Sequence, residues 1–337
     1  MWAPRAQKKL EAYPTEPTSP EMAINIRKQS TLLPDWENTM RRTLALLAAA
    51  SLALTAPLSA KPAQPVRRAL PAAIFTDPLP DKAHPARMEV LHIPSGGVEI
   101  NGVAYLASGA GPHPTLVLCH GWPGNEKNLD LAQAVRRAGW NVITFNYRGS
   151  WGSPGNFHFA QNPEDAKAVL AYLRDPANAA KLAVDTRRMV LMGHSMGGWV
   201  TALVAGEDEG LLGAGLISAG NMGLMRGLDR PGIIKLASEN TETLAGTSPE
   251  IMADELIAGR PAFDFMQSAP GLAKKPLLVL SSDDGLAPQT DLLIGAVRKA
   301  GGKRITAVHA ATDHGWSDQR IFLEAQVIWW LQGLLAR

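Results

Sequence analysis

Cysteine is nearly absent from this sequence. Cys119 is the single one among 337 residues. No disulfide within the chain and no cysteine-based zinc cluster can be built from it. Net charge is also scarce: 33 Lys and Arg stand against 31 Asp and Glu, a formal +2. The basic residues are scattered rather than striped, which argues against nucleic acid as a partner. Past the N-terminal region no apolar run reaches the roughly 18 residues that a membrane span needs. Internal repeats and low-complexity tracts are missing too. What remains is a chain with 46% hydrophobic and 19% charged residues, a globular mixture rather than a disordered one. Its length admits one large domain or two medium ones.

The first sixty residues read apart from the rest. Residues 1–39 show no period and are expected to be an upstream extension or a disordered tail. Met40-Arg41-Arg42 then precedes an apolar stretch from Leu44 to Leu54 and a small-residue end at Ala60. A basic start, a short apolar core and small residues at the end match a secretory signal peptide over residues 40–60. The expectation is translation from Met40, cleavage near Ala60 and a periplasmic or secreted product. A genuine tail followed by a small buried helix is the alternative, and a twin-arginine reading of Arg41-Arg42 fits less well. Residues 1–60 hold seven basic and five acidic residues, so the remainder carries 26 of each sign and no net charge. Residues 61–86 contain six prolines and read as an extended linker or leading arm.

From residue 87 to 337 strand-like and helix-like segments alternate. Met88 to Pro94 and Val98 to Leu106 flank Ser95-Gly96-Gly97 as a hairpin. The apolar runs Thr115–Cys119, Trp140–Asn146, Arg188–Met192, Leu211–Ser218 and Leu277–Ser281 read as buried strands. Ile305–His309 is a further strand. Helical spacing covers Leu129–Ala138, Pro163–Leu173 with Asn162 as N-cap, Met196–Ala205, Gln289–Ala300 and Ser317–Leu335. The alternation predicts an α/β class: a mostly parallel central sheet with helices on both faces. The rhythm breaks over residues 221–275. A connection that long needs its own structure, and it reads as a small helical cap, for example at Pro249–Ala258.

Chemistry gathers at four strand ends. Gly193-His194-Ser195-Met196-Gly197-Gly198 follows a buried strand and opens a helix, the context of a nucleophile elbow. The glycines leave room for the tight turn, and the helix start offers free N–H groups to a developing oxyanion. A serine hydroxyl needs a base, and the base needs an orienting carboxylate. His309 and His314 are the histidines beyond Ser195. His309 falls inside a strand and is expected to be structural, so His314, in the loop Thr312-Asp313-His314-Gly315-Trp316, is the candidate base. Asp284 is the candidate acid and Asp283 its alternative, both in the loop after Leu278–Ser281. Asp313 is expected to be a cap carboxylate. The turn Cys119-His120-Gly121-Trp122-Pro123-Gly124 supplies the last element. The N–H groups of Trp122 and Met196 are the expected oxyanion hole, with His120 structural and Cys119 in the core.

The set HGWPG, GHSMGG, SSDDGLAP and TDHGW, in this order, resembles the α/β-hydrolase superfamily over roughly residues 88–337. Asn146 to Ser153 and Asp185 fit the same pattern, with Arg148 structural. The spacing of Asp284 to Pro288 also resembles the family's acid loop, which supports Asp284 over Asp283. Ser281 stands where many members have glycine, which keeps the alternative open. The resemblance implies Ser195 as nucleophile, His314 as base, Asp284 as its orienter and residues 221–275 as a cap.

The expected reaction is acyl transfer to water, with no metal or organic cofactor. Trp122, Trp151, Phe157 and Trp199 are candidate substrate-binding walls, as are Met222, Met225 and Trp316; for each, core packing competes. A small-molecule ester is the first expectation for the substrate. A short peptide or amide cut by the same machinery is the second, and a non-catalytic binding member of the fold is the third.

Overall fold

The structure, a computed structural model, describes residues 68–336. The tail, the signal-like segment and the start of the proline-rich stretch lie outside the described residues. The elements are β1 (Arg87–Ser95), β2 (Val98–Leu106), β3 (His113–Cys119), α1 (Leu129–Arg137), β4 (Asn141–Phe145), α2 (Asn162–Arg174), α3 (Pro176–Leu182) and β5 (Val184–His194). They continue with α4 (Met196–Glu207), β6 (Gly213–Ile217), α5 (Arg230–Ser238), α6 (Pro249–Gly259), α7 (Ala269–Leu272), β7 (Leu277–Ser282), α8 (Ala287–Lys299), β8 (Ile305–Ala310) and α9 (Arg320–Leu335). Eight strands form one sheet in the order β1-β2-β4-β3-β5-β6-β7-β8. β1, β2 and β4 pair antiparallel, and every pairing from β4 to β8 is parallel.

Period-two alternation explains the two cores. Val117, Ile143, Leu191, Leu216 and Val279 point to one face, where α2, α4 and α8 pack. Leu116, Val142, Val190, Met192 and Leu278 point to the other, against α1 and α9. Strands buried on both faces have no polar side to present, which is why they read as unbroken apolar runs.

Three local expectations are corrected. Asn162 does not cap α2: a 3-10 turn over Phe159–Gln161 runs straight into the helix. Asn162 is therefore its first residue, buried, with Nδ2 donating to Met196 Sδ at 3.3 Å. The last helix begins at Arg320, not Ser317, because Asp313 holds Ser317 in a turn through its N–H at 2.8 Å and its hydroxyl at 2.7 Å. The part of the proline-rich arm that is described is docked rather than free. Ala73 and Ile74 pack on the second core, and the Arg137 guanidinium donates to their carbonyls at 2.5 and 2.8 Å.

The segment between β6 and β7 carries α5, α6 and α7. Asp229 caps α5 by accepting from Gly232 N at 3.0 Å, and Ser248 caps α6 by accepting from Ile251 N at 3.2 Å. Their apolar faces bury Ile233, Ala237, Met252, Ala253 and Leu256. Residues 243–245 are laced to the loop after β4. Trp151 N donates to Thr243 O at 3.0 Å, Ala245 N to Gly149 O at 2.8 Å, and Phe157 N to Ala245 O at 2.8 Å. Gly223 is wedged: a Cβ there would lie 2.6 Å from Arg260 O.

The reversal from β5 into α4 is packed backbone against backbone. A Cβ at Gly193 would run into the Gly197 carbonyl, and one at Gly197 into the Cys119 carbonyl. Neither obstacle is a flexible side chain. Gly197→Ala is expected to lower the unfolding free energy by about 2 kcal/mol or more. Gly295→Ala, on an open face of α8, is expected to raise it by about 0.5–1 kcal/mol. Urea denaturation reads both, and a neutral Gly197→Ala contradicts the packing argument.

Candidate active site

Ser195 is the hinge of that reversal, with φ 57° and ψ −121°. Such a backbone costs a non-glycine residue on the order of 1–3 kcal/mol and persists only when its surroundings hold it. Here Ser195 N donates to Ile217 O at 2.9 Å. Its carbonyl accepts from Gly198 N at 3.0 Å and Gly220 N at 3.2 Å. The backbone is fastened on both sides, so the side chain is the part left to project.

It projects into a cavity of about 390 Å³, which Asp284 and His314 also line. His314 Nδ1 donates to Asp284 Oδ2 at 2.6 Å. The carboxylate is 4% exposed and the imidazole 41%, so the acid is sealed behind the ring and the ring faces the opening. Asp284 Oδ1 also accepts from Leu286 N at 2.8 Å. Burial opposes ionisation of this carboxyl, but the hydrogen bonds from His314 and Leu286 N outweigh it and hold it below its ordinary value of 3.8. With Nδ1 engaged, Nε2 is the nitrogen left for chemistry. Among the described residues no direct hydrogen bond joins Ser195 Oγ to the ring, as is common before a substrate draws such groups together.

Asp283 and His309 form a second pair outside the cavity, Oδ1 to Nε2 at 2.9 Å, with both side chains half or more exposed. The neighbouring carboxylate thus meets the other histidine, the one in β8. Asp313 caps its own turn.

Gly121 sits against the serine. A Cβ there would lie 2.9 Å from Ser195 Cβ. Close approach is its reason for being glycine, since its φ is not positive. Among the described residues the N–H groups of Trp122 and Met196 donate to no protein acceptor. His120 Nδ1 donates to Gly121 O at 2.7 Å, and burial pushes the ring down to about 4. Burial pushes the Cys119 thiol up to about 12, so it behaves as a core residue. Arg148 is structural, bonding Asp165 at 2.6 Å and Glu164 at 2.7 Å.

The proposed aromatic walls are redistributed. Trp122, Met222 and Met225 line the cavity. Trp151, Phe157, Trp199 and Trp316 do not. Phe157 packs on Phe159 in the core. Trp199 is buried against Phe263 and donates to Phe263 O at 2.7 Å. Trp151 donates from Nε1 to Pro123 O at 2.7 Å, bracing the loop of Trp122. Trp316 is fully buried and donates to Ser218 Oγ at 2.9 Å, which lies 2.7 Å from Ser282 Oγ. An indole N–H that finds a buried partner acts as a strut. The remaining apolar wall comes from Leu228, Leu236 and Leu286.

His194 was missed by the sequence reading. Its Nε2 donates to His314 O at 2.8 Å, and the two rings lie 4.6 Å apart. Burial, then the neighbouring His314, push it down to about 3. A neutral ring bonding a carbonyl must carry its proton on Nε2. Its position beside the serine was the available signal. Among the described residues no group of three or more His, Cys, Asp and Glu is arranged to hold a metal ion, and no helix is long and apolar enough to cross a membrane.

The profile of the alpha/beta hydrolase family matches residues 116–332. An uncharacterized protein of Mycobacterium tuberculosis is 28% identical over 122 residues, which is 36% of this chain and 42% of that protein. The match thus covers less than half of that relative's length. Among solved structures, the acylaminoacyl peptidase of Pyrococcus horikoshii superposes with a TM-score of 0.57 at 16% identity, over 73% of this chain and 41% of its own. The carboxylesterase EstE1, cloned from a metagenomic library, superposes with a TM-score of 0.53 at 22% identity, over 78% of this chain and 92% of its own. At those identities the likeness is one of fold.

A carboxyl held low when folded stabilises the fold above its unfolded value, and that stabilisation is lost as pH falls through the folded one. The stability advantage of the wild type over Asp284→Asn is therefore expected to shrink as pH falls from about 6 to about 3. Urea unfolding at each pH measures it, and a pH-independent difference contradicts the pairing.

Proposed function

The chain belongs to the alpha/beta hydrolase family, and from that premise we propose that it is a serine hydrolase that cleaves small neutral esters. One observation carries the proposal: Ser195, held at a strained elbow, opens on the same cavity as a His314 ring tethered to Asp284 at 2.6 Å. Ser195 Oγ attacks the ester carbon while His314 Nε2 takes the hydroxyl proton. Asp284 fixes the tautomer and balances the imidazolium that forms. The N–H groups of Trp122 and Met196 receive the oxyanion, the electrostatic contribution that usually dominates. The C–O bond breaks, and the alcohol leaves with the proton from His314. Water, deprotonated by the same nitrogen, then attacks the acyl-serine and frees the acid. His194 stays neutral throughout, so its own ring adds no positive charge beside the imidazolium.

The wall favours an ester over a free peptide terminus. Asp284, the carboxylate lining the cavity, is already committed to His314 and Leu286 N, which leaves it poorly placed to hold an α-ammonium group. The proposal extends to export, on the strength of the basic, apolar and small-residue order of residues 40–60.

A fluorophosphonate probe is expected to label the wild type and not Ser195→Ala. Equal labelling, or none, supports a binding protein instead. On p-nitrophenyl esters Asp284→Ala is expected to lose about 10³–10⁴ in kcat, and Asp283→Ala less than about fivefold. The reverse order overturns the assignment of the acid. Turnover of aminoacyl anilides without turnover of esters overturns the ester reading. N-terminal sequencing of exported protein is expected to start after Ala60, and a terminus before Met40 contradicts the signal peptide.

A further inference from the structure

The cavity above Ser195 is apolar along most of its wall, yet three amide residues line it. The Asn221 amide is committed to Asp264 and to the N–H groups of Gly223 and Phe265; the other two are Gln289 in the first turn of α8 and Asn240 just beyond α5. Their orientations are fixed by backbone partners. Gln289 Oε1 accepts from Asn221 N at 2.7 Å. A backbone N–H can only donate, so the oxygen must face it and the NH₂ group must face away. Asn240 Nδ2 donates to Leu236 O at 2.8 Å. A carbonyl can only accept, so here one N–H of the NH₂ group is used and Oδ1 faces away. Both residues are half-buried. Among the described residues neither leftover atom has a protein partner, and neither is sealed from solvent. The wall thus offers a free NH₂ group on Gln289 and a free carbonyl oxygen on Asn240, both uncharged, amid Met222, Met225, Leu228 and Leu236.

When a substrate expels water from such a wall, an amide group left facing hydrocarbon loses its hydrogen bond and is not repaid. A chain that brings a matching neutral group keeps it. Resting on the reading of this cavity as the substrate site, we propose that Gln289 Nε2 and Asn240 Oδ1 form a neutral hydrogen-bonding subsite, which selects esters whose apolar chain carries an uncharged donor-and-acceptor group, a hydroxyl or a secondary amide. The two amides come from different elements, one on the sheet-bound helix and one on the cap. The subsite therefore also reads whether a substrate reaches from the serine to the cap.

The test compares p-nitrophenyl hexanoate with p-nitrophenyl 3-hydroxyhexanoate and with the p-nitrophenyl ester of N-acetyl-β-alanine, whose chain has the same length. The wild type is expected to prefer at least one polar ester by roughly tenfold in kcat/KM, the size of one well-made neutral hydrogen bond. Gln289→Met and Asn240→Leu are each expected to cut that ratio by about threefold or more, and the double variant to bring it near unity. Gln289→Glu keeps an oxygen for Asn221 N and removes the donor, so it is expected to lose the preference in a fold with that contact intact. A wild type that favours hexanoate over both polar esters, or a ratio unchanged in every variant, overturns the subsite. If no ester is turned over and no fluorophosphonate is taken up, the serine reading fails. The subsite is then tested by calorimetry, with N-acetyl-β-alaninamide expected to bind more tightly than hexanamide and that margin to vanish in the double variant. Equal binding of the two overturns it.

Discussion

The structure turns on one strained residue. Ser195 holds a positive φ that its side chain makes unfavourable, and it is kept there because no neighbour can give way. β5 arrives with its N–H and carbonyl groups already committed to flanking strands. α4 departs so close to β3 that only glycine fits at 197, beneath the Cys119 carbonyl. Gly121 then passes the serine within van der Waals distance. Gly197 is small because backbone occupies the space, and Gly121 because the Ser195 side chain does. The hydroxyl is therefore presented by exclusion: every other part of the turn is in contact with something.

That constraint fixes where the partners must stand, and buried polar struts hold them there. Trp316 reaches from the histidine loop to Ser218 at the end of β6, and Ser218 meets Ser282 at the end of β7. Asp283 N donates to Thr312 O at 3.0 Å, tying the Asp284 loop to the His314 loop a second time. His194 closes the circuit from β5 to the His314 carbonyl. The ends of four adjacent strands, β5 to β8, are thus joined above the sheet by groups whose polar atoms are nearly all paired. A network of that kind is rigid because breaking any link strands a buried donor or acceptor.

What the sequence disclosed follows from how local each signal is. The strands and the order of α and β elements were readable because burial on both faces leaves an apolar run, and because Ser195, Asp284 and His314 each follow a strand end. Trp199, Phe157 and Trp316 were misread as cavity walls because an aromatic residue near a motif looks the same whether it faces a substrate or the core. Only the partner decides, and Phe263 lies 64 residues from Trp199. Asn162 looked like a cap because the 3-10 turn ahead of it leaves no sequence mark. His194 was overlooked because its role depends on a carbonyl 120 residues away. Asp283 and Asp284 could be separated on the page by resemblance alone, whereas in space they face opposite sides of the loop and different histidines.

The division of labour between sheet and cap follows from the same physics. Groups that must hold a geometry to a fraction of an ångström are mounted on strand ends, where two neighbours fix each backbone. Groups that shape the cavity come largely from the segment between β6 and β7, where Met222, Met225 and Leu236 rest on apolar contact. Selectivity placed on a separate layer can change at little cost to the chemistry, provided the layer does not drift. Here it is pinned by Trp199 bonding Phe263 O and by the backbone lacing of residues 243–245 to 149–157. Those bonds run from the sheet-bound layer into the segment between β6 and β7, so the strut that keeps Trp199 out of the cavity wall is also what keeps that wall in register with Ser195.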